Sequence, residues 1–312
     1  MSVNLKGKSF LTDLELSKEE YLQLLDIAQT LKNETLIGKE HLILKGKILG
    51  MIFQKPSLRT RVSFEVGITQ LGGSGIYLGP DEIGIGKRET TEDIARVLSR
   101  YVDCIMARVF GHNIVEDFAK YATVPVINGL SDYTHPCQAL ADLMTIKEKL
   151  GVTSDFILTY IGDGNNVANS LAFSAAVLGF DIRIASPKGY ELDKKVVKLV
   201  QDRMKKSGKG SIELFDSPEK ASEGTHVLYT DVWASMGQEA EAKKRKIDFE
   251  GYQINMNLIK KADPRCIILH CLPAHYDEEI IKDAADHENS AIFDQAENRL
   301  HAQKALMVSL IR

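Results

Sequence analysis

Cysteine is scarce in this sequence. Four occur in 312 residues, Cys104, Cys137, Cys266 and Cys271, with no Cys-x-x-Cys pair. That is too few and too scattered for a disulfide framework and suggests a reducing cytosol. Long hydrophobic runs are missing as well, because charges interrupt every apolar stretch before it reaches the length of a membrane span. The first residues, Met1-Ser2-Val3-Asn4-Leu5-Lys6-Gly7-Lys8, hold no apolar h-region and no Arg/Ser-rich presequence, so a cytoplasmic location is expected. Nor is there a positive excess: the formal net charge of −4 gives the surface no general attraction for nucleic acid or acidic membrane, and neither is expected as a partner. The short basic run Lys243-Lys244-Arg245-Lys246 lies amid Glu239, Glu241 and Asp248 and reads as a solvated helix face. No short-period repeat or low-complexity segment occurs.

What is present is an ordinary globular composition, 44% hydrophobic and 26% charged, over a length comfortable for two domains. Ser17 with Glu20 three residues on forms a capping box ahead of the apolar stripe Leu22, Leu25, Ile27, Ala28, Leu31. The apolar run Ile48 to Phe53 reads as a buried strand, and Val62 to Leu71 as a helix stopped by Gly72-Gly73. Further strands are expected near Ile76–Leu78, Cys104–Val109 and Val124–Asn128. Helices are expected from Thr90 to Arg100, Asn113 to Tyr121 and His135 to Leu150, and residues 79–87, with three glycines and a proline, form a loop. The pattern then restarts with strands at Phe156–Ile161, Ile182–Ala185, Ile212–Phe215, His226–Thr230, Ile267–His270 and Ala291–Phe293. Helices fall at Val167–Leu178 and Leu192–Lys206, and a last helix begins at Glu297. Strands alternating with helices of ten or more residues mean parallel sheets covered on both faces. The break between Leu150 and Ser154 suggests two such units.

In doubly wound sheets, ligands bind beyond the carboxyl ends of the strands. At the first such end stands Ser57-Leu58-Arg59-Thr60-Arg61, preceded by Lys55. Two hydroxyls and two guanidinium groups at a helix N-terminus, where backbone N–H groups and the helix dipole already favour negative charge, describe an anion site, most simply for phosphate. Arg108 ends another strand. His135 and Gln138 share one face of a first helical turn. The set is rich in donors and positive charge and has no carboxylate. The second unit offers Asn165 and Asn166, then Asp231-Val232-Trp233-Ala234-Ser235-Met236-Gly237, then His270-Cys271-Leu272-Pro273. Asp231 is placed to receive an ammonium group or, equally, to cap a helix. An Asn amide can hold a carboxylate or an amine, so the set suits a zwitterion such as an amino acid.

Other chemistries are weaker. Gly162-Asp163-Gly164 resembles half a dinucleotide fingerprint, but Val167 replaces the third glycine and the following strand ends in Ser186-Pro187 without an acidic residue for a ribose. A nucleotide dehydrogenase is the alternative reading. His270, Cys271 and His275 match no common zinc spacing. Ser63, Ser235 or Cys271 as a covalent nucleophile would need a placed base.

Taken together, Lys55-Pro56-Ser57-Leu58-Arg59-Thr60-Arg61, His135-Pro136-Cys137-Gln138, Asp231-Val232-Trp233-Ala234-Ser235-Met236-Gly237 and His270-Cys271-Leu272-Pro273 resemble the signature segments of ornithine carbamoyltransferases, in the family's order and nearly end to end. The first two segments resemble carbamoyltransferases in general; the last two point to the ornithine branch. The resemblance implies an α/β fold of two doubly wound parallel-sheet domains joined by interdomain helices. Residues 1–150 would form a carbamoyl-phosphate domain, to which a C-terminal helix of about 297–312 returns, and residues 151–296 an ornithine domain. It implies Ser57, Leu58 (through its backbone N–H), Arg59 and Thr60 on phosphate, with Arg108, His135, Gln138 and Arg299 completing the carbamoyl-phosphate site. Asn166, Asp231, Ser235 and Met236 would hold the amino-acid end of ornithine, with Cys271 and Leu272 facing its δ-amine. Arg108, His135, Asp231 and Cys271 are the expected catalytic residues. Arg108 and His135 would stabilise developing charge; Asp231 or Cys271 would help keep the amine unprotonated. No metal or organic cofactor is needed, and a homotrimer or a multiple of it is implied. Biosynthesis of arginine is expected over catabolism.

The sequence departs from the family pattern twice. Leu58 stands where the family usually has Thr, and Gly84 stands where it often has a Gln that reaches a neighbouring subunit, leaving Lys87 or Arg88 as replacements.

Overall fold

The computed structural model describes residues 4–86, 88–235 and 238–311. The chain divides into two compact units, one made of Met1–Met144 with Glu297–Arg312 and the other of Thr145–Ala296. The division falls inside two continuous helices, Pro136–Leu150 and Ile292–Ile311.

The first unit holds four parallel strands, β1 Ile48–Phe53, β2 Ser74–Leu78, β3 Cys104–Arg108 and β4 Val126–Leu130, in the order β2-β1-β3-β4. The second holds five, β5 Ile157–Ile161, β6 Asp181–Ala185, β7 Ile212–Phe215, β8 Val227–Thr230 and β9 Ile267–His270, in the order β7-β6-β5-β8-β9, again all parallel. Strands β3, β8 and β9 are buried at every residue because helices cover both faces, which is why they read as unbroken apolar runs. Edge strands β2 and β7 carry no fully buried residue. Each unit has its own core. Ile52, Ile105, Ala107, Val115, Phe118 and Val126 pack in the first. Ile161, Leu228, Ile254, Ile268 and Ile292 pack in the second.

Strand order reverses between β1 and β3 in the first sheet and between β5 and β8 in the second, so each unit has a switch point where strand-end residues converge. The strand expected at Ala291–Phe293 is not one. Ser290 makes an isolated bridge to Ile268, Ala291 N–H donates to Ile268 O at 3.0 Å, and the last helix starts at Ile292 rather than Glu297. Ala291 and Ile292 are buried where the chain leaves the sheet and enters that helix. The expected loop at 79–87 contains a helical turn, Pro80–Ile83, whose Glu82 carboxylate accepts from Gly79 N–H. Among the described residues no helix is long and apolar enough to cross a membrane.

Candidate active site

In the first unit the site grows from the start of the helix Leu58–Gln70. Ser57 is its N-cap: the hydroxyl accepts from Thr60 N–H at 3.4 Å and donates to Thr60 Oγ1 at 3.1 Å. Thr60 Oγ1 is a meeting point. Arg108 Nη1 donates to it at 3.3 Å from the end of β3, and Arg299 Nη2 at 3.4 Å from the last helix. Arg299 Nη1 also donates to Gln138 Oε1 at 2.7 Å, and Gln138 Nε2 to Asp142 Oδ1 at 2.8 Å. The pairing of β3 with β4 slips by one residue between Ala107 and Arg108, a bulge at the residue whose side chain must be aimed. Thr60, Arg108, His135, Gln138 and Arg299 are all buried.

His135 lies in this cluster with its pKa held well below the usual histidine value, first by burial and then by the guanidinium groups of Arg299, Arg108 and Arg59. A neutral imidazole among three fixed cations is an environment prepared for an anion. Seven of the expected carbamoyl-phosphate residues thus gather here. The eighth, Leu58, opens the helix with its side chain 75% exposed and offers only its backbone N–H. Arg61, the second guanidinium of the segment, turns away: it lies 4.1 Å over the Tyr77 ring and pairs with Glu65 at 3.3 Å. Ser63 donates to Arg59 O at 2.6 Å within the helix and is a back-bonded helical serine rather than a nucleophile.

In the second unit the adjacent strands β5, β8 and β9 deliver Asn165, Asp231 and Cys271. Cys271 Sγ donates to Asp231 Oδ1 at 2.9 Å, Val232 N–H donates to the same oxygen at 2.8 Å, and Asn165 Nδ2 donates to Asp231 Oδ2 at 2.8 Å. Asp231 is therefore no helix cap. It is a buried carboxylate held on both oxygens. Ser235 Oγ lies 3.5 Å from Asn165 Nδ2, and Asn166 is the first residue of the helix Asn166–Leu178. Leu272 takes a left-handed backbone (φ 58°), costly for a residue with a Cβ, before a cis bond to Pro273. Its N–H donates to His270 Nδ1 at 2.9 Å, while His270 Nε2 faces Glu279 Oε1 at 3.0 Å. Both ring nitrogens of His270 are engaged in shaping this loop, as befits a scaffold residue. Met236 lies outside the described residues, as does Lys87.

One feature departs from the sequence reading. The basic run is not wholly solvated: Arg245 is buried, with Nη1 2.8 Å from both Asp163 Oδ2 and Trp233 O, tying the β5 loop to the β8 loop. Charge alternation in the neighbourhood hid it; Asp163 in the same glycine turn was the available signal. That turn is closed to a dinucleotide in another way. Gly164 N–H donates to Tyr190 O at 2.8 Å, and a Cβ on Gly164 would stand 2.5 Å from Leu192 N, so the glycine admits the chain's own backbone where pyrophosphate would approach. Gly84 has φ 53°, and a Cβ added there would stand 3.1 Å from Arg88 Cβ, so this loop is built on a glycine where the family pattern has glutamine.

Residues 8–148 match the carbamoyl-P binding domain of aspartate/ornithine carbamoyltransferase, and residues 154–310 match its Asp/Orn binding domain. The chain belongs to this family. An ornithine carbamoyltransferase of Thermococcus kodakarensis is 55% identical over 98% of this chain and 97% of its own. An anabolic ornithine carbamoyltransferase of Pyrococcus furiosus is 54% identical over the same shares. Among solved structures, ornithine carbamoyltransferase from Pyrococcus furiosus superposes with a TM-score of 0.96 at 53% identity, covering 99% of each chain. That from Thermus thermophilus gives 0.88 at 43%, covering 97% of this chain and 99% of the other. Membership gives the two clusters their context: the guanidinium-lined one draws its strand-end residues from the family's carbamoyl-P binding region, and the Asp231 cluster lies within its Asp/Orn binding region.

Proposed function

We propose that this chain transfers the carbamoyl group of carbamoyl phosphate to the δ-amine of L-ornithine, giving L-citrulline and phosphate, in arginine biosynthesis. The observation that carries the amino-acid half is the Asp231 carboxylate, buried, held on both oxygens and paired with the Cys271 thiol at 2.9 Å. Full-length likeness to relatives named ornithine carbamoyltransferase, one of them anabolic, supports the substrate and the direction.

In this reading the N-terminal N–H groups from Ser57 to Thr60, with the side chains of Ser57, Arg59 and Thr60, hold the phosphate. Arg108, His135, Gln138 and Arg299 surround the carbamoyl group. Asp231 accepts the α-ammonium of ornithine, and Asn166, Ser235 and Met236 take the rest of the amino-acid end. Cys271 and Leu272 face the δ-amine. A neutral δ-amine attacks the carbamoyl carbon, the new C–N bond forms as the C–O bond to phosphate breaks, and the proton lost from the nitrogen passes to the departing phosphate. Negative charge grows on the carbonyl oxygen and on the departing phosphate. Arg59, Thr60 and Arg108 are fixed donors for that charge, and His135, kept neutral, donates without protonating the product. Holding both substrates in register contributes much of the remainder. The protein works as a cytoplasmic homotrimer or a multiple of it.

Phosphate release and ureido-product formation from carbamoyl phosphate, assayed in parallel with ornithine, putrescine, aspartate and N-acetylornithine, test the proposal. Turnover with ornithine alone is expected. Turnover with another amine would overturn the roles of Asp231, Ser235 and Met236. Silence with all four in a folded chain that still binds phosphate would make it a binding protein.

A further inference from the structure

We propose that Asn165 is a positioning residue for the amino-acid substrate, holding Asp231 in its binding geometry through the amide nitrogen; this rests on Asp231 as the ammonium acceptor. Asn165 stands between β5 and the helix Asn166–Leu178 and does two separable things. Its Oδ1 caps the helix, accepting from Val167 N–H at 2.9 Å and Ala168 N–H at 3.1 Å, and it also receives the Tyr160 hydroxyl at 3.3 Å. Two backbone donors can only face an oxygen, so the amide cannot be turned the other way, and Nδ2 is forced toward Asp231 Oδ2 at 2.8 Å and Ser235 Oγ at 3.5 Å. The arm is rigid. Tyr160 is fully buried and its ring stacks on Tyr229 at 5.8 Å, while the Tyr229 hydroxyl accepts from Gln295 Nε2 at 3.1 Å.

Capping alone does not require asparagine. Ser17, Ser57, Thr90, Asp193 and Ser217 cap other helices of this chain. At position 165 serine would cap but fall short of Asp231, and aspartate would cap but set a second carboxylate against it. Asparagine caps the helix and donates to Asp231 at once.

Asn165→Ser and Asn165→Asp therefore keep the cap and remove the donor, whereas Asn165→Ala removes both. In the full chain, Asn165→Ser is expected to keep the wild-type melting temperature and the wild-type KM for carbamoyl phosphate while KM for ornithine rises about ten- to hundredfold, the value of a hydrogen bond to a charged group. Asn165→Asp should raise it further, and Asn165→Ala should also lower the melting temperature. An unchanged KM for ornithine in Asn165→Ser would overturn the proposal, as would equal losses for both substrates tracking the melting temperature. The wild-type assay separates this from the substrate assignment: if wild type prefers another amine, the assignment fails and the same series is read with that amine. If nothing turns over, calorimetric binding of ornithine to wild type and Asn165→Ser decides the matter, and equal affinities would overturn the proposal.

Discussion

Arg108 ends β3 at a bulge, buried, with one guanidinium nitrogen on Thr60 Oγ1. In the proposed mechanism its charge stabilises the carbonyl oxygen of the carbamoyl group as it becomes negative, so Arg108→Ala should lower kcat/KM for carbamoyl phosphate about 10²- to 10³-fold, the usual loss when a fixed donor to a transition-state oxyanion is removed. Circular dichroism and melting temperature should change little, since the strand stays paired on both sides; near-wild-type turnover would remove Arg108 from the mechanism. His135 makes a prediction about pH. Its folded pKa lies well below the unfolded value, so the native state holds the neutral ring and protonation opposes folding. The stability contributed by this neutrality is fully present above the unfolded histidine value of about 6.5 and is lost as pH falls below it. Imidazole NMR of the substrate-free protein should show no titration of His135 across the ordinary histidine range, and a midpoint near 6.5 would disprove the electrostatic account.

The helix Ile292–Ile311 brings Arg299 to Thr60 and Gln138, and the same helix buries Lys304, whose Nζ donates to Thr35 Oγ1 at 2.8 Å and Gln70 Oε1 at 3.0 Å. It can do so because Gly67 lets it approach the helix Leu58–Gln70: a Cβ there would stand 3.1 Å from Met307 Cε and 3.3 Å from Lys304 Cγ. Gly67→Ala gains up to about 1 kcal/mol of helix propensity and loses a similar amount to that contact, so stability should hardly move. Gly67→Val adds two further methyl groups against Met307, Lys304 and Leu300. It should cost about 1–3 kcal/mol in urea unfolding and weaken phosphate binding, because the displaced helix carries Arg299. Unchanged phosphate affinity in Gly67→Val would show that Arg299 reaches the site independently of this packing. None of this was legible in the sequence, since Gly67 and Met307 share no local pattern. The strands were legible for a local reason: a short apolar run bounded by turn residues leaves few alternatives. Ala291–Phe293 shows the limit, because three apolar residues fit the first turn of a buried helix as well as a short strand.

At the scale of the molecule, each unit owns a sheet, a core and a cluster of chemically active side chains at a switch point, and that separation was readable because strand-end residues announce themselves by type. Arg108 and Asp231 are charged groups at the ends of apolar runs, where packing does not ask for them, and His135 and Cys271 stand in short polar motifs beyond such runs. The partners that give them their state were not readable. Thr60 as the shared acceptor of two guanidinium groups, Asn165 as the arm on Asp231 and Arg245 buried on Asp163 all depend on long-range contacts. Two self-contained clusters have a thermodynamic consequence. The phosphate cluster is assembled from residues of the first unit and the Asp231 cluster from residues of the second, with no residue in common. Asp231→Asn should thus reduce ornithine turnover at least about 100-fold, because on the proposed reading it removes the charge that would pair with the ammonium while its amide remains close in shape. The affinity for inorganic phosphate, measured by calorimetry on the full chain, should stay within about twofold of wild type, since an energetic coupling must be carried by shared contacts or by a two-state element that both ligands bias. A parallel loss of phosphate affinity would show such an element, and the melting temperature of the variant would tell whether it acts through the native state or through partial unfolding.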